Sequence, residues 1–240
     1  MNWSYFFTSA VGRKLVMALT GLFLISFLIV HVGLNACIFY DLPFFDPTDN
    51  GSMFNRAAHF MGASLVIRLM EIGLFAFIIL HIVQGYAIEA KNRRRRGSQP
   101  YQVNLGNRGS KWYSRSMALL GTLILLFLIM HISHFWVPSR VTHDLEPVTY
   151  RNGAVETHNL FLRMYEVFQE PLIVVLYLIG VLSLAYHLFH GFHSAFRTIG
   201  VHNKKYLTML KSLGYGFTII VCLLFALMPI SMYLNWVSPN

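Results

Sequence analysis

Long apolar runs recur five times along the chain, and polar or charged segments separate them. Each run reaches the roughly 20 residues that an α-helix needs to cross the hydrocarbon core of a bilayer. Such a segment has to be helical, because its backbone groups find no water to bond with inside the membrane. The pattern predicts an all-α membrane protein, formed by residues 1–240 as a single domain. Its five predicted spans cover residues 14–39, 63–90, 116–137, 171–197 and 212–237.

The composition agrees with this prediction, since 55% of the residues are hydrophobic and only 12% are charged. The first run is too long for the apolar core of a cleaved signal peptide, so we expect it to be retained. Residues 40–60 and 138–170 are expected to form two long loops. The first loop has turn signals at Asp46–Pro47 and Asn50–Gly51. Pro171 suits the first turn of the fourth span.

The basic residues are distributed unevenly between the predicted loops. Fourteen of the 19 lysines and arginines belong to the N-terminal segment and to the loops after the second and fourth spans. By the positive-inside rule we expect these segments and the N-terminus to be cytoplasmic, and the C-terminus to be outside. The run Arg93–Arg96 is interpreted as a topology anchor beside anionic lipid, with no nucleic-acid partner. The fourteen residues are Arg13, Lys14, Lys91, Arg93, Arg94, Arg95, Arg96, Arg108, Lys111, Arg115, Arg197, Lys204, Lys205 and Lys211.

Each of the first four spans carries a histidine, and an ionisable side chain inside a span is costly enough to indicate function. At 1.5 Å per residue, His31 and His131 lie roughly 27 and 24 Å from the cytoplasmic ends of their helices. His81 and His187 both lie about 14–15 Å from theirs. The spacing therefore pairs His81 with His187, and His31 with His131. Two bis-histidine haems in a four-helix bundle require this arrangement.

The first and third spans resemble each other, which indicates a weak internal repeat. They read TGLFLISFLIVH and LGTLILLFLIMH, and each has a glycine ten residues before its histidine, Gly21 and Gly121. A residue without Cβ lets a flat macrocycle approach the helix. Small residues also let helices pack closely in membranes, so both interpretations stay open.

Other histidines lie near the ends of the spans. His134 follows His131 by one turn, and His190 and His193 follow His187. We interpret these as mostly interfacial residues. A histidine in a span can also simply hydrogen-bond to a neighbouring helix. Zinc is a poor alternative for the site, since the chain has neither a cysteine cluster nor an HExxH sequence.

At these histidines the chain resembles the five-helix, di-haem cytochrome b membrane subunit of succinate:quinone oxidoreductases. The segments that carry the resemblance are GRKLVMALTGLFLISFLIVHVGLN, LHIVQGYAIEAKNRR, LIMHISHFW and AYHLFHGFHSAFRTIG. The resemblance implies that His81 and His187 bind a proximal haem b, and that His31 and His131 bind a distal one. The glycine that follows the fourth ligand by four residues in this family corresponds to Gly191. Some relatives have an acidic residue two positions before that ligand, where this chain has Ala185, so a proton route through such a carboxylate is in doubt.

The implied function is electron transfer from succinate to a membrane quinone, such as menaquinone, in the respiratory chain and tricarboxylic acid cycle of a bacterial cytoplasmic membrane. The chain would hold the quinone reduction site. FAD and the iron–sulfur clusters would belong to two partners, a flavoprotein and an iron–sulfur subunit. The reverse direction, quinol to fumarate, is equally compatible with the sequence.

Residues for the quinone pocket and for the haem propionates are proposed from their depth. Arg68 and Glu71 are three residues apart, so a structural ion pair between them is the alternative to a role at the quinone. Arginines at a membrane boundary are also common as simple anchors. The candidates at the distal level are His59, Ser64, Arg68, Glu71, Arg163, Glu166 and Glu170. Those at the proximal level are Trp112, Arg115 and Arg197.

Two other functions remain open from the sequence. A haem b subunit of a formate dehydrogenase or hydrogenase would share the paired histidines, but its catalytic partners would dock outside, whereas the basic loops favour docking inside. A small transporter or channel could use the histidines as a proton relay, and it would contain no haem.

Overall fold

The structure is a computed structural model that describes residues 9–97, 111–150 and 155–239. Arg108, one of the basic residues assigned to the cytoplasmic side, lies outside these ranges. The described part is mostly helical.

Five long apolar helices dominate the fold. They are α1 (Ala10–Asn35), α3 (Leu65–Arg96), α5 (Met117–His131), α7 (Pro171–Thr198) and α8 (Lys204–Tyr233). All five are long and apolar enough to cross a membrane, which confirms the prediction of five spanning helices. The prediction that Pro171 opens the fourth span is confirmed as well.

Two of these helices continue in a different helical geometry. A 3₁₀ segment, Ala36–Asp41, extends α1. After His131, α5 passes into π-helical turns at Ile132–Trp136 and Pro138–Thr142. π-helical turns are rare and occur frequently at functional sites. The third span therefore changes its hydrogen-bond geometry directly after its histidine.

The fifth helix begins eight residues before the predicted boundary, at Lys204 instead of Ser212. Asn203 lies just before it and accepts a hydrogen bond from Lys205 N at 2.9 Å, as a helix-capping residue does. The stretch from 204 to 211 is polar enough to interrupt an apolar run. Its lysines, leucines and methionine nevertheless favour a helix, so the apolar pattern marked only part of the element.

The two segments predicted as long loops contain short elements. The first holds α2 (Ser52–Ala63). The second holds the antiparallel hairpin β1 (Pro147–Tyr150) and β2 (Val155–His158), in which Pro147 pairs with His158, and then α6 (Leu160–Phe168). The prediction of plain loops was wrong here. Elements this short carry too few apolar positions to stand out from a polar connection.

The predicted turn at Asn50–Gly51 is present, because both residues have positive φ, 50° and 70°. A Cβ on Gly51 would also overlap the Phe161 ring, so glycine is required for two reasons. The Gly51 N–H donates to both carboxylate oxygens of the buried Asp41, at 3.1 Å each. This turn fixes the start of α2.

The predicted turn at Asp46–Pro47 is closed by the Asp46 carboxylate. Its Oδ1 accepts from Thr48 N at 3.0 Å and from Thr48 Oγ1 at 2.6 Å. The Thr48 hydroxyl and backbone N–H lower the pKa of Asp46, since both bonds favour the charged carboxylate. The two hydrogen bonds stabilise the turn fully at a pH above the ordinary pKa of an aspartate. This stabilisation is lost as the pH falls through the lowered pKa of Asp46.

The chain divides into two compact units, and residues of all five long helices contribute to each. The first unit contains the described residues within Met1–Phe27, Gly73–Leu123 and Ser183–Ile219. The second contains those within Leu28–Ile72, Ile124–Leu182 and Ile220–Asn240.

A buried asparagine holds the short elements of the second unit together. Asn55 on α2 donates from Nδ2 to Asn159 Oδ1 at 2.9 Å and accepts from Phe161 N at 2.9 Å. Asn159 in turn caps α6 by accepting from Leu162 N at 3.0 Å. Because Asn55 and Phe161 are almost fully buried, these bonds fix α6 against α2.

Candidate functional site

In the first unit, one histidine of α3 faces one histidine of α7. The ring centroids of His81 and His187 are 6.2 Å apart, and their planes are inclined at 61°. Each histidine lies in the middle of a long apolar helix, so its ring is directed at another helix instead of water.

In the second unit, a histidine of α1 faces a histidine of α5. The ring centroids of His31 and His131 are 5.7 Å apart, at an angle of 90°. The spacing along the sequence predicts both pairs, and the structure brings together the residues of each. Ligation of haem iron by these rings stays a prediction.

The neighbouring histidines have other partners. His134 stacks on the Tyr177 ring at 5.9 Å and 7°, and its Nδ1 is 3.1 Å from Tyr177 Oη. The ring of His190 meets that of His193 at 5.7 Å. His134 and His190 therefore each have a ring partner outside the two pairs.

The distance between the paired rings suits a metal ion bound from both sides. With metal–imidazole bonds of about 2 Å, two opposed rings have centroids roughly 6 Å apart. Both pairs lie near this separation. Within the described ranges no group of three His, Cys, Asp or Glu side chains could hold a metal. Among these side-chain types in the described ranges, a metal at either pair would have the two imidazoles as ligands, and a porphyrin would supply four more.

The Nδ1 atoms of the four rings differ in their surroundings. His81 Nδ1 lies 3.0 Å from the Thr20 hydroxyl, and His31 Nδ1 lies 3.3 Å from Asn35 Nδ2. The Nδ1 atoms of His131 and His187 are buried without a hydrogen-bond partner among the described residues. That Nε2 of each ring faces a metal stays a prediction, and at His31 the donor Asn35 Nδ2 would favour the ring proton on Nε2.

Two further buried polar atoms of the first unit lack a hydrogen-bond partner in the described part of the chain, Arg13 Nε and Gln84 Oε1. Buried polar atoms are rarely left unbonded in native proteins. A bound group with carboxylates could accept from Arg13 Nε, whereas Gln84 Oε1 is an acceptor and would need a donor that a carboxylate does not supply. Gln84 could have been noticed from the sequence, since it follows His81 by three residues and shares its helix face.

The two repeat glycines are not required for contact between helices. A Cβ built on Gly21 would lie 3.6 Å from His81 Cε1, an ordinary van der Waals distance. A Cβ on Gly121 would meet no described atom within 4 Å. The structure therefore shows no steric requirement for glycine at either position, and both interpretations stay open.

Aromatic rings surround the histidine pair of the second unit. His31 contacts Phe225 at 5.6 Å, and His131 contacts Phe127 at 5.6 Å and Phe135 at 5.3 Å. Tyr177 lies 6.0 Å from His131. The pair is thus enclosed by apolar rings, as suits a large aromatic macrocycle.

Glu71 is the centre of a polar cluster in the second unit. Its carboxylate accepts a hydrogen bond from Trp136 Nε1 and lies 4.0 Å from Arg140 Nε. Arg68 instead donates from Nε to Gly62 O at 3.0 Å. The alternative of an Arg68–Glu71 ion pair is therefore wrong, because the two side chains bond to different residues. The sequence did not indicate Arg140 or Trp136 as partners.

The other distal candidates are dispersed over the second unit. His59 on α2 is exposed, and its Nδ1 is 3.1 Å from Thr157 Oγ1 on the hairpin. Ser64 lies at the end of α2, where its carbonyl accepts from Arg68 N. These residues form no contact with the Glu71 carboxylate.

Arg163 on α6 contacts the turn after His131, because its Nε donates to His134 O at 3.2 Å. It also lines an open cavity of about 210 Å³ together with Asp144, Glu146 and Glu166. Its guanidinium is 3.8 Å from the Glu166 carboxylate. Glu170 is exposed just before α7.

The proximal candidates belong to the first unit. Trp112 and Arg115 form the one-turn helix α4 (Trp112–Arg115), and Trp112 contacts the Tyr186 ring at 5.7 Å. Arg197 is exposed in the last turn of α7. Arg115 and Arg197 are exposed as membrane anchors would be, so nothing in their position favours a haem propionate over that role.

Comparison of the chain with protein-family models, with curated proteins and with solved structures finds no match.

Proposed function

We propose that the chain is the di-haem cytochrome b membrane subunit of a succinate:quinone oxidoreductase in a bacterial cytoplasmic membrane. The observation that carries the proposal is the two facing histidine pairs, one in each unit, at ring separations of 6.2 and 5.7 Å. A structural hydrogen bond explains one histidine in a span. It does not explain four histidines that face one another in two pairs. Nor does it explain why the Nδ1 atoms of His131 and His187 are buried without a hydrogen-bond partner among the described residues.

Each histidine pair of the chain would hold one haem. His81 and His187 would hold one haem b, and His31 and His131 the other. Arg13 Nε is a buried donor of the first unit that a haem carboxylate could accept from, and the rings of Phe127, Phe135 and Phe225 lie around the second pair. Bound haem supplies one-electron transfer between a soluble electron donor and quinone.

The quinone pocket is proposed at Glu71. Its carboxylate is held by the Trp136 indole and lies near Arg140, so it is a fixed group at which a proton can be held. Reduction of a quinone consumes protons, and a carboxylate within a membrane span needs a functional reason. Arg68 lies one turn away but bonds to a backbone carbonyl, so its role at the pocket is secondary.

The partners are proposed on chemical grounds. The described residues offer no three-ligand metal group, and succinate oxidation needs FAD and iron–sulfur clusters that a flavoprotein and an iron–sulfur subunit would hold. The basic residues at the ends of α3, α7 and α8 would lie on the cytoplasmic side, where they can contact these subunits and anionic lipid.

The test is purification of the chain from its native membrane in mild detergent. We expect co-purification of a flavoprotein and an iron–sulfur protein, and a b-type spectrum that succinate reduces. Reduction by formate or hydrogen instead would assign the chain to another membrane dehydrogenase. A quinol–fumarate assay measures the reverse direction. Purification without any b-type absorbance would overturn the proposal in favour of a transporter or channel.

A further inference from the structure

A single hydroxyl contacts the Nδ1 atom of His81. Thr20 on α1 is almost fully buried, and its Oγ1 lies 2.8 Å from Val16 O and 3.2 Å from Met17 O. The same oxygen is 3.0 Å from His81 Nδ1. A hydroxyl has one proton to donate and two lone pairs to accept with.

The single proton of the Thr20 hydroxyl determines the direction of its hydrogen bond with His81. The Thr20 proton points to the carbonyl of the preceding helical turn, the usual bond of a threonine inside a helix. Towards His81 the hydroxyl oxygen can then only accept. Nδ1 must therefore carry the proton of the neutral ring, and Nε2 keeps its lone pair. That is the tautomer in which a histidine binds a metal through Nε2.

We propose that Thr20 is a positioning residue that holds His81 in its metal-binding tautomer and adjusts the reduction potential of the haem bound there. The proposal rests on the proposed function. A ligating histidine commonly donates its other N–H to a fixed acceptor, which orients the ring and increases its basicity. The His81 ring also lies against α1 at the next residue, since a Cβ built on Gly21 would be 3.6 Å from His81 Cε1.

The effect should be confined to one of the two haems. His187, the opposite ligand, has no hydrogen-bond partner on Nδ1 in the described part of the chain, and neither has His131. The Asn35 amide nitrogen that faces His31 Nδ1 is a donor group, so it does not repeat the Thr20 contact. Thr20 and His81 both belong to the first unit.

The direction of the effect follows from charge. An acceptor on Nδ1–H increases electron donation from Nε2 to iron and so favours the ferric state. Removing the acceptor should favour the ferrous state and raise the potential. We expect Thr20→Val to shift the ferric/ferrous equilibrium constant of one haem roughly tenfold, which is about 59 mV for a one-electron couple.

The experiment is a potentiometric titration of the purified complex, with haem quantitation, for three variants. Thr20→Val removes the acceptor with little change of shape, and Thr20→Ser restores it. Thr218→Val is the matched control, because Thr218 is also buried in the first unit and bonds to the carbonyl four residues before it, Gly214 O at 2.7 Å. We expect Thr20→Val alone to raise one potential, or to lose that haem, while Thr20→Ser and Thr218→Val keep both haems and both potentials.

The inference is overturned if Thr20→Val leaves both potentials unchanged, if it shifts both equally, or if Thr218→Val has the same effect. It is also overturned if Thr20→Ser behaves like Thr20→Val. Should Thr20→Val not assemble, Thr20→Ala removes the same acceptor with a smaller side chain and is compared with Thr20→Ser in its place. Absence of haem from the unmodified complex would instead contradict the proposed function, so the two failures are distinguishable.

Discussion

A buried histidine is best understood from what each of its two ring nitrogens contacts. Thr20 determines the protonated nitrogen of His81, whereas His187 presents a buried Nδ1 with no hydrogen-bond partner among the described residues. The neutral ring always offers one donor and one acceptor nitrogen. The contacts of Nδ1 therefore decide whether Nε2 is available to a metal.

The first prediction compares His187 with His190, three residues further along α7. His187 faces His81, while the His190 ring meets His193. We expect His187→Ala to remove one of two b-type signals and to leave the other, because iron that loses one of two imidazoles leaves its low-spin state. His190→Ala should keep both signals.

Low-temperature difference spectra with haem quantitation measure this outcome. His131 and His134 form the corresponding pair on α5 and its continuation, where His134 bonds to Tyr177 instead of facing His31. Retention of both haems in His187→Ala, together with loss of one in His190→Ala, would show that the ligand on α7 is assigned to the wrong histidine.

Spacing and charge were sufficient to predict which histidines meet, because the depth of a residue in a straight helix depends only on its number. They could not predict Thr20 as a neighbour of His81. Contacts of this kind depend on the rotation of each helix about its axis and on side-chain rotamers, which an all-apolar helix surface does not specify.

The long helices were predictable as elements because each needs an uninterrupted apolar run to cross a membrane. Their ends were less predictable where good helix formers are charged, as from Lys204 to Lys211 in α8. The short elements α2, α6 and the hairpin were missed. Their packing depends on hydrogen bonds between residues far apart in the sequence, such as that from Asn55 to Asn159. No local sequence pattern predicts such a bond.

The second prediction concerns the packing of α7 in the second unit. A Cβ on Gly180 would lie 2.6 Å from Phe127 Cγ and 3.0 Å from Phe127 Cβ. Phe127 stacks on His131 at 24°. We expect Gly180→Ala to displace Phe127, to destabilise the protein by about 1–3 kcal/mol as overpacked cores do, and to perturb only the haem at His31 and His131.

Thermal unfolding in detergent and the haem difference spectrum measure both effects. Gly73→Ala on α3 is the control, because no described atom lies within 4 Å of a Cβ there. Equal stability and equal spectra of the two variants would contradict the packing described for Phe127.

For the whole molecule, five spanning helices predict that the segments before α1 and after α8 lie on opposite sides of a membrane. The third prediction is that the N-terminus is cytoplasmic and the C-terminus outside, since basic residues gather at Arg93–Arg95 and at Lys204, Lys205 and Lys211. A reporter enzyme active only outside the cytoplasm should work when fused after residue 239 and fail when fused at residue 97. The opposite result would reverse the proposed docking side.

We propose that this chain binds two haems b, one within each histidine pair. The most direct measurement is a pyridine haemochrome assay on the purified complex, normalised to the cytochrome chain. Two facing pairs predict two haems b per chain, and one haem after His31→Ala or His81→Ala. A value near one in the unmodified complex would contradict the assignment of one pair, and a value of zero would contradict the account as a whole.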